Sequence, residues 1–557
     1  MAHRAPVAEF ATHSVTNQPP DFAPRDLWRT DPVLREAVRR EGADWADGAL
    51  AALGAEAGSE RVMELGDLAN RNPPQLRIFD RVGRRIGEVE FHPAYHELMA
   101  LAFRHRIHAV AWTRDSGQRG GHVAHAAMGY LLTQAEAGVL CPVAMTYAAV
   151  PALRRQPEVA EAWLPGILSD RYDPRFLPPG EKTGLTVGMA MTEKQGGSDV
   201  RANSTVAKAL GDAGPGRAYA LTGHKWFCSA PMSDAFLTLA QTERGLSCFL
   251  VPRWRPDGTR NAFQLQRLKD KLGNRSNASA EIEYDGAWAI LIGEEGRGVL
   301  GIIEMVHHTR LDCGFAAAGL MRAAVSRALH HTAHRSAFGR LLVEQPLMRP
   351  VLADLALESE AATALVLRVA RAFDEGETDP AARAFARLAV AIMKYWVTKR
   401  CPALVYEALE CHGGNGYVED GGMPRLYREA PLNAIWEGSG NVIALDVLRT
   451  LQREPAARAA LEAELDSACG LDGRLDGWVR STRALFADPA TLELHARRLV
   501  ERLALALQAG LLLRHAPSVV AEAFCASRLD GHWGLCFGTL PPSVDSGAIL
   551  ARAAGEG

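Results

Sequence analysis

The sequence predicts an α+β multidomain protein. It divides into an N-terminal α-helical domain (residues 1–182), a central β domain (183–298), an α-helical bundle (299–451) and an extra C-terminal helical region (452–557). Three observations carry that reading. The chain has 557 residues, enough for about three or four domains of ordinary size. Hydrophobic residues make up 48% of it, so sizeable cores can be buried. Its texture changes near Thr183 from helical periodicity to short β-type runs, and back again near Val299.

The first part reads mostly helical. His122 to Leu140 is rich in Ala, Leu and Met, and Pro142 and Pro151 punctuate the segment after it. The Pro-, Gly- and charge-rich stretch from Asp170 to Lys182 reads as a linker. The β-type runs are Leu185-Thr186-Val187, Ala218 to Thr222, Ala235 to Leu239 and Ser247 to Val251, separated by Gly, Asp or Pro. Ala280 to Tyr284 alternates polar and apolar residues. Helical spacing then returns, with Leu352, Leu355, Val366, Val369 and Ala370 on one face of Val351 to Phe373, and again over Ala381 to Glu410. An Ala-, Leu- and Arg-rich helical portion closes the chain, and there are no internal repeats.

The net charge of −3 excludes a wholly basic nucleic-acid coat but not a local patch. Nine scattered cysteines include no C-x-x-C pair, which suits a reducing cytoplasm better than a disulfide framework. Met1 to Pro6 lacks a charged n-region followed by an apolar run. Leu503 to Leu513, interrupted by Gln508, is too short to span a bilayer. The expectation is a cytoplasmic protein without membrane segments.

Trp436-Glu437-Gly438-Ser439-Gly440-Asn441 places a carboxylate beside an aromatic ring, then a Gly-Ser-Gly turn and a helix start at Val442. Either it is a solvated turn, or it builds a general base of raised pKa. Met189 to Asp199 carries a hydroxyl residue, charges, paired glycines and Ser198-Asp199 after a β run. Its backbone N–H groups suit a polar cofactor, and they equally suit a hairpin loop. On the strand Gly223 to Ser229, adjacent Trp226 and Phe227 point to opposite faces, so one packs in the core and the other can cover a flat ligand. Arg335 to Gly339 offers a guanidinium and a ring, or merely a helix C-cap. His412-Gly413-Gly414-Asn415-Gly416-Tyr417 ends a helix, its glycines either capping it or admitting a pyrophosphate. Gly293 to Gly298 lacks the third glycine of a dinucleotide loop and reads as a turn. His307-His308 and His330-His331-His334 read as helix-surface residues, not metal ligands. The cysteines read as core or surface thiols, none with an evident base beside it.

In this order, over about residues 100 to 450, these motifs resemble the acyl-CoA dehydrogenase family. The variants Met191 to Val200, Arg425-Leu426-Tyr427-Arg428-Glu429 and Ile435 to Asn441 look like its AidB-like, alkylation-response branch. The resemblance implies an α domain, a β domain and an α bundle that together hold FAD. Met189, Met191, Thr192, Gly197 and Ser198 would contact the flavin ring and phosphate. Phe227, Cys228 and Ser229 would cover the isoalloxazine and reach toward N5. Ile435, Trp436, Ser439 and Asn441 would hold the ADP part, and His412, Gly413 and Gly414 the cofactor as well. Arg335 and Phe338 would reach the flavin of a neighbouring subunit, which implies a homo-oligomer, expected as a tetramer. Glu437 falls on the family's usual catalytic base, with Arg310 orienting it. Some relatives carry the base on an earlier helix, where this chain has Thr309 and so no carboxylate.

Two activities are implied by that resemblance. One is α,β-dehydrogenation of an acyl-CoA, isovaleryl-CoA-like and slow, linked to the response to DNA alkylation. The other is a DNA-associated flavoprotein that shields double-stranded DNA or destroys alkylating agents. Residues 451 to 557 hold 11 Arg, no Lys and 13 acidic residues, a formal charge of −2, so a DNA surface there would need Arg497, Arg498, Arg502 and Arg514 clustered on one helical face.

Overall fold

The computed structural model of the chain describes residues 6–113, 118–485, 492–531 and 534–555. Met1 to Ala5, part of the stretch read for a leader pattern, lie outside the described residues.

The chain opens with helices α1 (Pro32–Arg40), α2 (Asp47–Ala57) and α3 (Glu60–Arg71). The starts of α1 and α3 are set locally. The Asp31 carboxylate accepts the Leu34 amide at 3.0 Å ahead of Pro32, and Ser59 accepts that of Val62. An antiparallel hairpin comes next, β1 (Gln75–Phe79) and β2 (Arg85–Glu90). It is a small β insertion in a part that is otherwise helical, as read: both strands are short and half-exposed, and Val89 is buried against the core of the β layer. Then come α4 (Pro93–Arg104), α5 (Gly121–Thr133), α6 (Leu140–Leu153) and α7 (Pro157–Ile167). Pro142 and Pro151 lie inside α6 rather than punctuating it. Pro142 is in the first turn, where its missing N–H is an orphan anyway.

The β layer is built from β3 (Val187–Ala190), β4 (Val206–Ala209), β5 (Ala218–Ser229), β6 (Ala235–Thr242), β7 (Gly245–Pro252), β8 (Phe263–Leu268) and β9 (Ser279–Ile292). Its order is β3-β6-β4-β5-β9-β7, with β8 on β9; a further β6–β7 pairing closes the strands on themselves. The β run expected at Leu185 begins at Val187 instead.

Helices return with α8 (Gly298–His334), and beyond it lies a hairpin of very short strands, β10 (Ser336–Ala337) and β11 (Arg340–Leu341). Next are α9 (Met348–Glu375), α10 (Pro380–Glu410), α11 (Met423–Glu429) and α12 (Gly440–Arg453). Helix α8 runs through the middle, packed by α5, α6, α9 and α10. Approach is close: a Cβ on Gly129 of α5 would stand 2.2 Å from the Phe315 ring of α8.

The last part is α13 (Pro455–Asp466), α14 (Gly473–Ala484), α15 (Ala496–His515), α16 (Ser518–Phe524) and α17 (Ser546–Ala554). It is no loose tail. Helix α15 packs on α9, α10 and α12, and α17 on α9. Just after α16, the wholly buried Arg528 pairs with Asp354 at 2.5 Å and with Glu358 at 3.0 Å, both on α9. Arg400 of α10 shares Glu358 at 3.1 Å. Buried charges are tolerated only when paired in this way. Among the described residues no helix is long and apolar enough to cross a membrane.

Candidate active site

Glu437 sits in the connection that leads into α12, with Ser439 as the residue preceding the helix. Its backbone φ is +58° and that of Gly438 is +103°. A non-glycine residue there carries backbone strain of about 1–3 kcal/mol, which persists only where surroundings hold it. One support is Arg310 of α8, whose Nε donates to the Glu437 carbonyl at 3.2 Å. The Arg310 guanidinium is itself fixed by Asp446 of α12 at 2.6 Å, and Arg387 of α10 holds the other oxygen of that carboxylate at 2.8 Å. Burial pushes Asp446 up, but Arg310 and Arg387 outweigh it and bring it down to about 2.

Asp446→Asn is therefore expected to destabilise the fold by about 3–5 kcal/mol at neutral pH, since it leaves the buried Arg310 without a carboxylate and Arg387 with only Glu454, at 3.5 Å. Asp446 has a depressed folded pKa. Its contribution is present above the ordinary Asp value of about 3.9 and fades as pH falls through the folded value. Urea unfolding of both proteins at neutral pH and at acid pH checks the magnitude and the convergence.

The Glu437 carboxyl is raised above the usual range, chiefly by burial. The Thr309 hydroxyl, Arg310 and Lys394 oppose that rise, and Asp312 adds to it. Thr309, noted in the sequence only for lacking a carboxylate, thus touches the candidate base. Its Oγ1 also lies 3.2 Å and 3.1 Å from the carbonyls of Met305 and Val306. The single hydroxyl proton is shared among these acceptors. Thr309→Val is expected to raise Glu437 further, moving the acid limb of kcat/KM up by about 0.5–1 pH unit, the worth of one ordinary hydrogen bond. A pH–rate profile reads it directly.

Across from Glu437 stands Cys141 of α6. Its thiol is pushed up to about 11 by burial, hydrogen-bonds Ser229 and Asn277, and feels the charges of Lys271 and Glu437. One thiol thus links the end of strand β5 to the base loop. Ser229 Oγ meets Ser279 Oγ at 3.2 Å, and Lys271 Nζ donates to Ser279 Oγ at 3.2 Å and to the Asn277 carbonyl at 2.7 Å. Burial brings Lys271 down to about 8.

The expectation for Trp226 and Phe227 needs correcting. Lys225 pairs with Ile282 and Cys228 with Ala280, so β5 carries one extra residue there. This bulge keeps both rings out of the core. Trp226 is half-buried beneath Lys269, whose Nζ is 3.2 Å from the ring centre, and Phe227 is 50% exposed. The bulge also restores register so that Cys228 is wholly buried in the β core. Its side chain packs in that core, so Cys228 offers a ligand its backbone rather than its thiol. The Trp226 amide donates to the Thr192 carbonyl at 2.8 Å, tying the bulge to the 191–198 loop.

Met189 on β3 and Met191 in that loop pack against the same core cluster as Trp436. Gly197 lies against Thr192 so closely that a Cβ would come within 2.3 Å of Oγ1, and Ser198 is exposed. Trp436 donates from its indole to Asn433 at 3.0 Å. Ile435, Ser439 and Asn441 are all exposed. Asn441 Oδ1 accepts from Arg497 at 3.4 Å.

The remaining candidates form a second group. Arg335 lies just past α8, and the Phe338-Gly339 turn has φ of +52° and +77°, with Phe338 99% exposed. The Arg335 guanidinium donates to the Asn17 carbonyl at 2.6 Å, so the N-terminal arm braces this hairpin. His412, beside Gly413 and Gly414, has its ring centre 4.7 Å from that of His331. Arg310 and Arg335 lie 25 residues apart, about 37 Å along a straight helix at 1.5 Å per residue. The structure therefore does not bring Arg335, Phe338, His412, Gly413 and Gly414 to the Glu437 of the same chain.

The histidines are not all helix-surface residues. His334 is exposed, but His331 is buried, and burial lowers it to about 4. His307 is lowered to about 3, and His308 well below its usual value, again by burial. His308 belongs to a ring cluster with Trp112, His122, Tyr147 and Phe373 at centre distances of 4.9 to 5.9 Å. Next to it, His125 bonds Asp312 at 2.9 Å. Among the described residues no group of three or more His, Cys, Asp or Glu is placed to hold a metal ion. The arginines considered for DNA are largely engaged. Arg514 pairs with Glu464 at 2.7 Å, Arg502 lies 3.7 Å over the Trp478 ring, and Arg497 reaches Tyr395 and Asn441. Arg498 is exposed.

The helical–β–helical order, a carboxylate loop whose Trp436 packs against the cluster shared by α6 and the β layer, and an arginine hairpin beyond the end of α8 are those of a flavoprotein-dehydrogenase type of fold. Comparison with known proteins agrees. Residues 17–174 match the profile described as Adaptive response protein AidB N-terminal domain, 188–287 the acyl-CoA dehydrogenase middle domain and 296–452 its C-terminal domain. The chain is 46% identical to the putative acyl-CoA dehydrogenase AidB of Escherichia coli (strain K12) over 94% of its own length and 96% of that protein's. Among solved structures, Bd2924 in its apo-form superposes with a TM-score of 0.82 at 28% identity, covering 91% of this chain and 100% of that one. ACDH-11 of Caenorhabditis elegans, solved in complex with C11-CoA, also gives 0.82, at 27% identity over 99% and 95%. The chain belongs to the acyl-CoA dehydrogenase family, in its AidB-like branch. Acyl-CoA dehydrogenases of this family are FAD-dependent.

Proposed function

We propose that this chain, divided near residues 182, 298 and 451, is an FAD-dependent dehydrogenase that oxidises the α,β bond of a short acyl-CoA with Glu437 as the base. The observation that carries this is a raised carboxyl, Glu437, on a loop whose Trp436 packs with Met189 and Met191 against one core cluster, which brings the base loop to the β layer. The residues fit a flavin. Phe227 at 50% and Ile435 at 62% exposure leave apolar surface uncovered around the site, and Met189 and Met191 add partly buried apolar walls. Thr192, Gly197 and Ser198 would hold the ring and phosphate, Phe227 and Ser229 would lie along the isoalloxazine, and Ser439 and Asn441 would hold the ADP part.

When bound, the flavin supplies a hydride acceptor at N5. Glu437, ionised, takes the α-proton onto a carboxylate oxygen while the β-carbon gives up its hydride, leaving an enoyl thioester. Arg310 holds the backbone that aims the carboxylate. The separation of Arg335 and His412 from Glu437 along α8 supports a role toward the flavin of a neighbouring subunit, and so a dimer-based assembly, in the form of a tetramer. The match to a domain described as adaptive response protein supports placing this activity in the response to alkylation. Anaerobic mixing of the purified flavoprotein with isovaleryl-CoA and other short branched thioesters tests the reading. It is overturned if no thioester bleaches the flavin and Glu437→Gln changes nothing.

The DNA-associated reading rests on Arg498 and its neighbours and gains little from their engagement in internal contacts. A salt titration of duplex binding decides it, because each phosphate contact steepens the salt dependence. Binding no tighter than that of an acidic control protein removes it.

A further inference from the structure

We infer that Lys394 of α10 is a positioning residue for Glu437, clamping the base loop alongside Arg310; this rests on the reading of Glu437 as the base. Lys394 is 1% exposed, and the stretch from Leu388 to Thr398 holds no other charged side chain. A lysine is kept in such surroundings only when its ammonium finds acceptors.

Its Nζ donates to the Trp436 carbonyl at 2.8 Å and to the Gly438 carbonyl at 2.5 Å. With Arg310 on the Glu437 carbonyl at 3.2 Å, three successive carbonyls of the loop are each held by a buried cation. Two of these residues, Glu437 and Gly438, have positive φ. The clamp thus offsets the strain that keeps Glu437 aimed into the site. The second effect is electrostatic. Burial brings Lys394 down to about 8, Cys313 and Glu437 push it up, and Arg310 and Lys399 push it down. Around Glu437 itself stand Thr309, Arg310, Asp312 and Cys313 from α8, Cys141 from α6 and Lys394 from α10. Removing Lys394 removes one of the two cations that favour the ionised base.

The experiment uses the flavin-loaded protein and Lys394→Met. Hydrogen exchange of peptides covering 436–441 should quicken while exchange in the β layer stays as it was. With isovaleryl-CoA, kcat should fall about 10²-fold, as expected for a displaced catalytic group, with KM changed far less. The acid limb of the pH profile should move upward. Lys394→Arg should recover part of kcat. Lys394→Gln, which keeps amide N–H donors but not the charge, should slow the exchange again and leave the acid limb displaced; it also serves if Lys394→Met does not fold. Unchanged exchange at 436–441 together with an unchanged acid limb overturns the inference. Glu437→Gln run alongside separates the two claims. If that variant keeps full activity, the base reading falls, while the exchange measurement still decides whether Lys394 holds the loop.

Discussion

Glu437→Gln is expected to lower the rate of flavin reduction by acyl-CoA about 10²–10⁴-fold, the usual worth of a positioned general base. The substitution keeps the shape of the side chain and the hydrogen-bonding reach to Thr309 while removing the proton acceptor. In the unaltered protein kcat/KM should climb with pH along an acid limb whose midpoint lies above the ordinary Glu value of about 4.3, because burial raises Glu437. That limb should vanish in the variant.

A stability effect of opposite sign accompanies the loss. The folded pKa of Glu437 is raised, so the folded state prefers the protonated form, and ionisation at higher pH works against folding. Glu437→Gln removes that opposition. The variant should melt at a higher temperature than the parent above the raised pKa, and at the same temperature once pH falls below about 4, where both forms are neutral. Anaerobic stopped-flow mixing and melting curves across pH measure the two effects. A variant that is slow but not stabilised at high pH would show that the carboxylate is not raised.

Much of this was legible in the chain. The order of helical and β layers reflects hydrophobic period, and the switch near Thr183 is a change from 3.6-residue spacing to alternation. The features that escaped did so for physical reasons. The β1–β2 hairpin hides because its strands are short and half-exposed. His307 and His308 lack metal-ligand partners in the sequence and so read as surface residues, whereas α8 is buried over most of its circumference and has no polar face to put them on. Phe227 and Trp226 break alternation through a bulge, and bulges leave no signature in two adjacent aromatics. Thr309 shows its contact with Glu437 only once two segments 128 residues apart are folded together. Lys394 did carry a signal. A single lysine within Leu388 to Thr398 is a charge with nowhere to go but a buried partner.

The same logic gives a large expected loss of stability at Lys225. It lies on β5 with its side chain wholly buried against the equally buried Glu193, Nζ to Oε1 at 2.8 Å, and it also donates to the Leu239 carbonyl at 2.8 Å. Glu193 further accepts from the Ser204 amide and hydroxyl at 2.7 and 2.9 Å and from the Thr205 hydroxyl at 2.6 Å. Burial alone pushes Glu193 up, but Lys225 and these hydroxyls outweigh it and hold the carboxyl well below its usual range. This one carboxylate ties the ends of the 191–205 loop together, and the loop bears Thr192, Gly197 and Ser198. Lys225→Met strands it without a counter-ion and is expected to cost about 3–5 kcal/mol. Because the Glu193 pKa is depressed, the contribution of the pair is present above about pH 4.3 and is lost as pH falls toward the folded value. Weaker FAD retention should accompany the loss of stability, since the same loop offers its backbone to the cofactor. Combining Lys225→Met with Glu193→Gln neutralises both partners, so the double variant should be less destabilised than the sum of the two single ones. Urea unfolding of the four proteins, with flavin release followed on the same samples, gives the coupling. Strict additivity would mean that the two side chains act independently, and FAD retention unchanged in Lys225→Met would mean that the ion pair holds the β layer without holding the loop.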